Sequence, residues 1–429
     1  MNRLMNKLLL RMLGIPPLRW ILIRLLVGIE RLESGVAFDP TARSFQRNPY
    51  PAYRALQTKD PVHRSRLIGG QVLTRYEDVM EALRDDRLGS DRSELMDQLP
   101  PNRRGPFFQF LDQSLLSLNP PDHTRLRALV SKAFTPRAVA SMQPRIEEIT
   151  NELLDQIAAN GEMDLITDLA YPLPVIVIAE MLGVPAADRD RFNAWSDDLG
   201  AGLDPFATDE VIAKADAATL ALRGYFAVLF EERRKEPRED LLSALVLAED
   251  EGESLNEEEL YASVILLLGA GNETTTNLIG NGMHALLQHP EQLAILRDDP
   301  ALIDAAIEEM LRFDGPVLFT TRIAGEPMEL VGAKLERLET VVLVLGAANR
   351  DPQYFPNPAE FDIARTPEHT LAFGHGIHFC LGAPLARLEA RVAIPTLLRR
   401  MPDLQAVEPV SPYRETVVLR GLKRLPVTF

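Results

Sequence analysis

The chain has 429 residues and one cysteine, Cys380. An intramolecular disulfide is therefore excluded. The composition fits a reducing compartment, so a cytoplasmic location is expected. That cysteine and the seven histidines form no cluster with zinc-ligand spacing. Basic residues are outnumbered, 46 Lys and Arg against 62 Asp and Glu, for a net charge of −16. Such an acidic chain is not expected to bind nucleic acid. No apolar run reaches the length of a membrane span. No small-residue cleavage site follows the N-terminal segment, which argues against a secretory signal. Internal repeats and long low-complexity tracts are also lacking.

What is there is apolar bulk, 46% of the residues, enough for a substantial core. The length suits roughly three domains or one large α-rich domain. The chain is organised around Phe373-Gly-His-Gly-Ile-His-Phe-Cys380-Leu-Gly382-Ala-Pro384. Glycines flank the cysteine on both sides and free the backbone. Pro384 and Leu385-Ala-Arg-Leu-Glu-Ala-Arg-Val read as a helix start. The sulfur then sits at a helix N-terminus, where the dipole and free N–H groups stabilise a thiolate. Taken alone, a single cysteine is most often a small buried hydrophobe, and with His375 and His378 nearby it could also be a nucleophile.

A second unusual stretch lies in a long apolar helix running to about Gln288. Ser254-Leu-Asn-Glu257 reads as its capping box. Midway come Gly269-Ala270-Gly271-Asn-Glu273-Thr274-Thr275-Thr276, poor helix material with an acid in apolar surroundings. The glycines let a flat ligand approach, and Thr274 can donate to the Ala270 carbonyl and open the helix locally. The bland alternative is a packing kink with a solvated Glu273. Glu309 and Arg312, at i and i+3, share a helix face.

The pattern Phe-x-x-Gly-x-x-x-Cys-x-Gly resembles the haem-ligand loop of the cytochrome P-450 monooxygenases, bacterial soluble type, in which the thiolate is the axial ligand of haem iron. Ala-Gly-x-Glu-Thr-Thr resembles the family's oxygen-activation motif, and Glu309-x-x-Arg312 its buried structural pair. The resemblance runs from about Asp39 to Phe429, with four motifs in order. It implies a mainly α fold with a small β portion, a triangular prism with the haem between the long central helix and the cysteine-loop helix. It implies residues 37–429 as one catalytic domain, with a small β part from residues 61–75 and segments after Phe319.

The implied cofactor is haem b (iron protoporphyrin IX), with dioxygen as co-substrate. Cys380 would be the metal ligand. His123, Arg127, Arg322 and His378 would pair with the propionates, and Ala270, Phe373 and Gly382 would line the cofactor. Thr274 and Glu273 would be catalytic. Phe108, Leu115, Leu266, Val317, Leu318 and Phe319 would line the substrate pocket, under a lid formed by Phe192 to Pro205 and the following helix. Segments 348–352 and 355–362 would complete the buried ion network. The implied reaction hydroxylates or epoxidises a lipophilic substrate. With no flavin or iron–sulfur domain, electrons would come from a ferredoxin and its NAD(P)H-dependent reductase, docking near Arg125, Lys132, Arg137 and Arg391. The alternatives are a peroxide-dependent haem peroxygenase and a non-enzymatic haem gas sensor.

Residues 1–36 lie outside the resemblance. Met1 to Ile29 carries Arg3, Lys7, Arg11, Arg19 and Arg24 and no acid. Pro16-Pro17 breaks the segment, and the basic and apolar residues fall at helical spacing. Two readings stay open: peripheral contact of residues 1–35 with anionic lipid, or a helix docked on this protein or a partner.

Overall fold

In the computed structural model, the structure describes residues 16–96, 104–250, 252–365, 369–407 and 412–429. The basic stretch 1–15 lies outside them. The spine is the 32-residue helix Glu257–Gln288. It is apolar on most faces, as a core helix must be. Around it pack the helices Pro172–Met181, Arg189–Gly202, Ile303–Asp314 and Ala383–Arg400. Arg189–Gly202, here called the lid helix, also packs along the 27-residue helix Asp209–Lys235.

The central helix begins two residues later than its first capping signal suggests. Asn256, not Ser254, is the cap: its side chain accepts from Glu259 N at 3.0 Å and Glu259 Oε2 accepts from Asn256 N at 3.0 Å. Two overlapping capping patterns exist here. Ser254 is taken up by a short hairpin, Glu253–Ser254 against Glu249–Asp250, so the second pattern wins.

The β portion is small. Val62–Ser65 (β1), Gly70–Leu73 (β2), Leu88–Gly89 (β3), Thr320–Ala324 (β4) and Thr340–Leu343 (β5) form one sheet in the order β1-β2-β5-β4-β3. Only β5 and β2 run parallel. Gly69, at φ +74°, turns the β1–β2 hairpin expected from the sequence. A three-stranded sheet joins Gln405–Ala406, Pro426–Thr428 and Glu162–Asp164. Residues 87–118 are not all loop: Pro106–Asp112 is a helix that buries Phe107 and Phe110 in the main core.

Pro16 and Pro17 stand at the start of the described residues. They start a continuous helix, Pro16–Ser34, as proline at the first helical positions does. Its inner face, Ile23, Leu26 and Val27, packs on Leu67 and Phe206. Glu30, 1% exposed, closes the contact. Its carboxylate accepts from Ser65 Oγ at 3.0 Å, from the N–H groups of Phe38, Arg66 and Leu67 at 3.1, 2.6 and 3.1 Å, and lies 3.1 Å from His63 Nε2. Burial pushes Glu30 up, but these bonds, led by His63, hold it below the usual carboxylate range. Truncating one partner would strand a buried charge, so the second half of this segment is built into the body.

Candidate active site

The cysteine loop depends on two glycines in the left-handed region, Gly374 at φ +72° and Gly376 at φ +73°. A Cβ on Gly376 would lie 2.8 Å from the backbone oxygen of Leu83, so no other residue fits without a shift. Cys380 N donates to Phe373 O at 3.0 Å, which closes the loop. Phe373 is braced by the Arg387 guanidinium, 4.4 Å from its ring centre. The helix Ala383–Arg400 follows at once, with Gly382 as its cap. The N–H groups of Gly382 and Ala383 lie near enough to the Cys380 sulfur to favour its anion.

Burial nevertheless pushes the Cys380 thiol up, and these N–H groups with Arg127 and Arg387 pull it down only in part. Helix-end donors alone therefore do not make the stable thiolate expected from the sequence. The cysteine is half-buried, and desolvation of an anion there outweighs two peptide dipoles. A metal cation at the sulfur would supply the missing charge.

Beside the sulfur is a group of basic side chains, two imidazoles and two guanidiniums. His123 and Arg127 lie on the helix Asp122–Ala133, Arg322 on β4 and His378 on the cysteine loop. The rings of His123 and His378 are 4.3 Å apart. His123 is 2% exposed and neither ring nitrogen has a partner. Burial, then Arg322 and His123, push His378 down to about 3. Burial and Arg92 push Arg322 down to about 10. Among the described residues no carboxylate pairs with any of these four. The unpartnered ring nitrogens of His123 and the desolvated guanidinium of Arg322 are costly unless an anion arrives.

Arg92 belongs to the same group and was not singled out from the sequence. It donates to Thr321 Oγ1, next to Arg322, and desolvation lowers its guanidinium although the residue is exposed overall. Nothing local marks it, because only the sheet brings residues 92 and 321 together.

Above lies the central helix. Thr274 Oγ1 donates to Ala270 O at 2.8 Å, as expected, but the helix runs unbroken through the motif. Ala270 is exposed in mid-helix, and a Cβ on Gly271 would meet nothing within 4 Å, so open space adjoins this face. Glu273 is not solvated. Burial pushes it above the usual carboxylate range, Arg414 pulls it down and Asp197 pushes it up.

A cavity of about 360 Å³ is lined by Asp197, Gly200, Leu203, Glu273, Arg414 and Val418, among others. Of the expected pocket residues none lines it. Phe108 and Leu266 are half-buried against the main core and Leu115 is 8% exposed. Val317 bridges to Leu419. Leu318 and Phe319 are 3% and 5% exposed in the sheet-side core, where Phe319 meets Phe38 edge-on at 6.1 Å. The turn after Pro316 directs these two side chains toward the β-sheet core. The C-terminal loop supplies walls instead, through Thr416, Val418 and Leu419.

Glu309 and Arg312 form the expected buried pair, with Arg312 Nε donating at 2.6 Å and Nη2 at 2.7 Å. Arg312 also donates to the carbonyls of Asn349, Pro358 and Glu360 at 3.1, 2.9 and 2.9 Å. The second arginine on Glu309 is Arg365, at 3.2 Å. Arg350 instead donates to Phe313 O at 2.8 Å. Of the surface cations considered for docking, Arg125 is paired with Glu253 and Glu259 and Arg391 with Asp304. Arg84, 3.3 Å from His375, is a further cation beside the cysteine loop.

Tested on these residues, a flat dianionic macrocycle with a metal centre fits: a thiol for the metal, orphaned cationic donors for two carboxylates, and open space along a glycine-bearing helix. Fold and site together define a haem-thiolate protein. Residues 206–421 match the family Cytochrome P450. The Vitamin D(3) 25-hydroxylase of Pseudonocardia autotrophica is 46% identical over 396 residues, 91% of this chain and 96% of that protein. Cytochrome P450 monooxygenase PikC of Streptomyces venezuelae is 44% identical over 417 residues, 93% and 97%. The structure of P450BioI in complex with hexadec-9Z-enoic acid ligated acyl carrier protein superposes with a TM-score of 0.85 at 41% identity, covering 90% of this chain and 100% of that one. The chain belongs to the cytochrome P450 family, and it is a haem-iron oxidoreductase of the monooxygenase kind.

Proposed function

We propose that the protein inserts one atom of dioxygen into a lipophilic substrate, by hydroxylation or epoxidation, with haem b as the cofactor and electrons from a ferredoxin and its NAD(P)H-dependent reductase. The observation that carries this reading is a half-buried cysteine beside basic side chains that no carboxylate pairs with among the described residues, beneath a helix that bears an acid–hydroxyl pair. Haem iron, when bound, supplies the oxygen chemistry. Cys380 would hold the iron, and His123, Arg127, Arg322 and His378 would hold the propionates through charge-assisted bonds. Glu273 would supply a proton through water, as a general acid, and the Thr274 hydroxyl would position it over the reacting oxygen. Apolar walls would keep bulk water from the substrate. The names of the relatives, a vitamin D hydroxylase and a protein seen with a fatty-acyl carrier, suit a lipophilic substrate.

A peroxide-dependent enzyme or a gas sensor has less use for the Glu273–Thr274 pair. Thr274→Ala is the test. Substrate binding is expected to survive, while most NAD(P)H consumed ends as hydrogen peroxide, read as product formed per NAD(P)H. Full coupling in the variant would reduce Thr274 to a packing residue.

Peripheral lipid contact is proposed for the N-terminal helix. No described helix is long and apolar enough to cross a membrane. Ile21, Leu25, Ile29 and Leu32, at helical spacing, are 58, 59, 40 and 88% exposed, with Trp20 beside them at 54%. Ile23 is not part of this face; it is buried against the body. Arg24 and Arg31 flank the stripe, and each basic residue near an anionic surface adds about 1 kcal/mol. Leu25→Glu with Ile29→Glu is expected to abolish sedimentation with anionic liposomes at low salt. A wild-type protein that stays in the supernatant would exclude lipid contact.

A further inference from the structure

The 27-residue helix Asp209–Lys235 has two apolar faces. The inner one, with Ala215, Leu222, Phe226 and Phe230, is buried in the main core. The other faces outward. At 3.6 residues per turn, Ala213, Ala217, Leu220, Gly224 and Val228 fall within an arc of about 80° on the opposite side. Leu220 is 57% and Val228 60% exposed, and the three small residues are exposed with them. Charge on this face is kept to its ends, Glu210 and Lys214 at one and Glu231 and Lys235 at the other. The two charged residues between them are turned aside: Asp216 accepts from Phe107 N, and Arg223 pairs with Glu258.

Gly224 serves no contact inside the chain. A Cβ there would meet nothing within 4 Å, and the residue is plainly helical. Glycine in mid-helix is destabilising relative to alanine, and here no neighbouring element requires it. It leaves an open notch one turn after the Leu220 knob. Turned end for end, the face fits a second copy of itself. Take an antiparallel pairing whose two-fold axis passes between Leu222 and Arg223. Val228 of each copy then lies over Ala217 of the other, and Leu220 enters the hole floored by Gly224 and Ala221. At the ends Lys214 meets Glu231 and Glu210 meets Lys235, twice each by symmetry. Within each chain Glu210 lies 3.4 Å from Lys214 and Glu231 2.6 Å from Arg234, so both ends close an alternating charge network. A parallel pairing would instead set Lys214 against Lys214 and Leu220 against Leu220.

We propose that this face is the interface of a homodimer, in which two copies pair antiparallel along the helix Asp209–Lys235 and Leu220 of each fills the Gly224 notch of the other. The apolar strip supplies the affinity by leaving water. The exposed charges at its ends add little energy but fix direction and register, because only the antiparallel pairing sets unlike charges together. A single helix pair is a small interface, so the association belongs in the micromolar range. The proposal is independent of the haem site and of the reaction.

The test is sedimentation equilibrium of the full-length, haem-loaded protein, with the haem absorption as the check on folding. The wild type is expected to reach the dimer mass at about 100 μM. Leu220→Glu is expected to weaken dimerisation by at least about thirtyfold, the loss of a central anchor. Gly224→Leu is expected to weaken it as well while raising the unfolding midpoint, because leucine is the better helix former. That split separates a notch kept for a second copy from a residue kept for the fold. Lys214→Glu and Glu231→Lys are each expected to weaken self-association, and an equimolar mixture of the two variants to recover it, since every cross pair is then of unlike charge. Leu25→Glu with Ile29→Glu, on the N-terminal helix, is expected to leave the dimer unchanged. A wild type that stays monomeric would overturn the proposal, whatever else binds this face. So would a dimer that survives Leu220→Glu or Gly224→Leu at full strength, or charge variants that fail to recover association when mixed.

Discussion

Arg312→Leu is expected to destabilise the protein by about 3–5 kcal/mol, the usual cost of stranding one member of a buried pair. Arg312 and Glu309 have side chains 1% and 2% exposed. Leucine fills much of the volume but leaves the Glu309 carboxylate with Asp362 N at 2.9 Å and Arg365 as its remaining partners. It also leaves the carbonyls of Asn349, Pro358 and Glu360 without this donor. The bidentate fork is specific to arginine, so Arg312→Lys is expected to recover less than half of the loss. Replacing both partners by leucine is not expected to rescue the fold, because three carbonyls and the Asp362 N–H would still be stranded. The denaturant midpoint of haem-free protein reads these effects without reference to catalysis. Midpoints within error of wild type would show that the pair is not structural.

Cys380→Ser is expected to abolish the red-shifted absorption of the reduced carbon monoxide complex, because that absorption would require the Cys380 thiolate as iron ligand. Haem retention is a separate matter. His123, Arg127, Arg322, His378 and the glycine-bearing face of the central helix all remain, so a partly loaded protein with an altered spectrum is the expected outcome. The change is small in volume, and the loop bonds from Cys380 N to Phe373 O and from Ala383 N to the carbonyl at position 380 do not involve the sulfur. An unchanged spectrum would remove Cys380 as the ligand. It is the one cysteine in the chain, so the fault would then lie with the haem-thiolate assignment itself.

Much of this was legible in the sequence because the relevant signals are local. The cysteine loop, the Glu309–Arg312 spacing, the β1–β2 hairpin and the Thr274-to-Ala270 bond each depend on residues a few positions apart. What was not legible depends on distant segments meeting. Arg414 reaches Glu273 across 141 positions of chain. Arg365 joins Glu309, and Arg92 joins Arg322, only because a meander and a sheet edge fold back. Local ambiguity accounts for the rest. Ser254 and Asn256 offer two caps two residues apart, and a hairpin decides between them. Ile23 and Ile21 look alike in the N-terminal helix, yet the rotation imposed by Glu30 buries one and exposes the other. For Leu318 and Phe319, an apolar run after a proline carried no information about which core it would enter.

The central claim, that this enzyme takes one oxygen atom from dioxygen, is met most directly by the source of the oxygen in the product. A lipophile that shifts the haem absorption would be turned over with a ferredoxin, its reductase and NAD(P)H under isotopically heavy dioxygen, and the product weighed by mass spectrometry. The expected result is one heavy oxygen atom per product molecule, dependent on both redox proteins. Product oxygen drawn from water, or the same product formed from hydrogen peroxide with the redox proteins left out and equally fast, would contradict it.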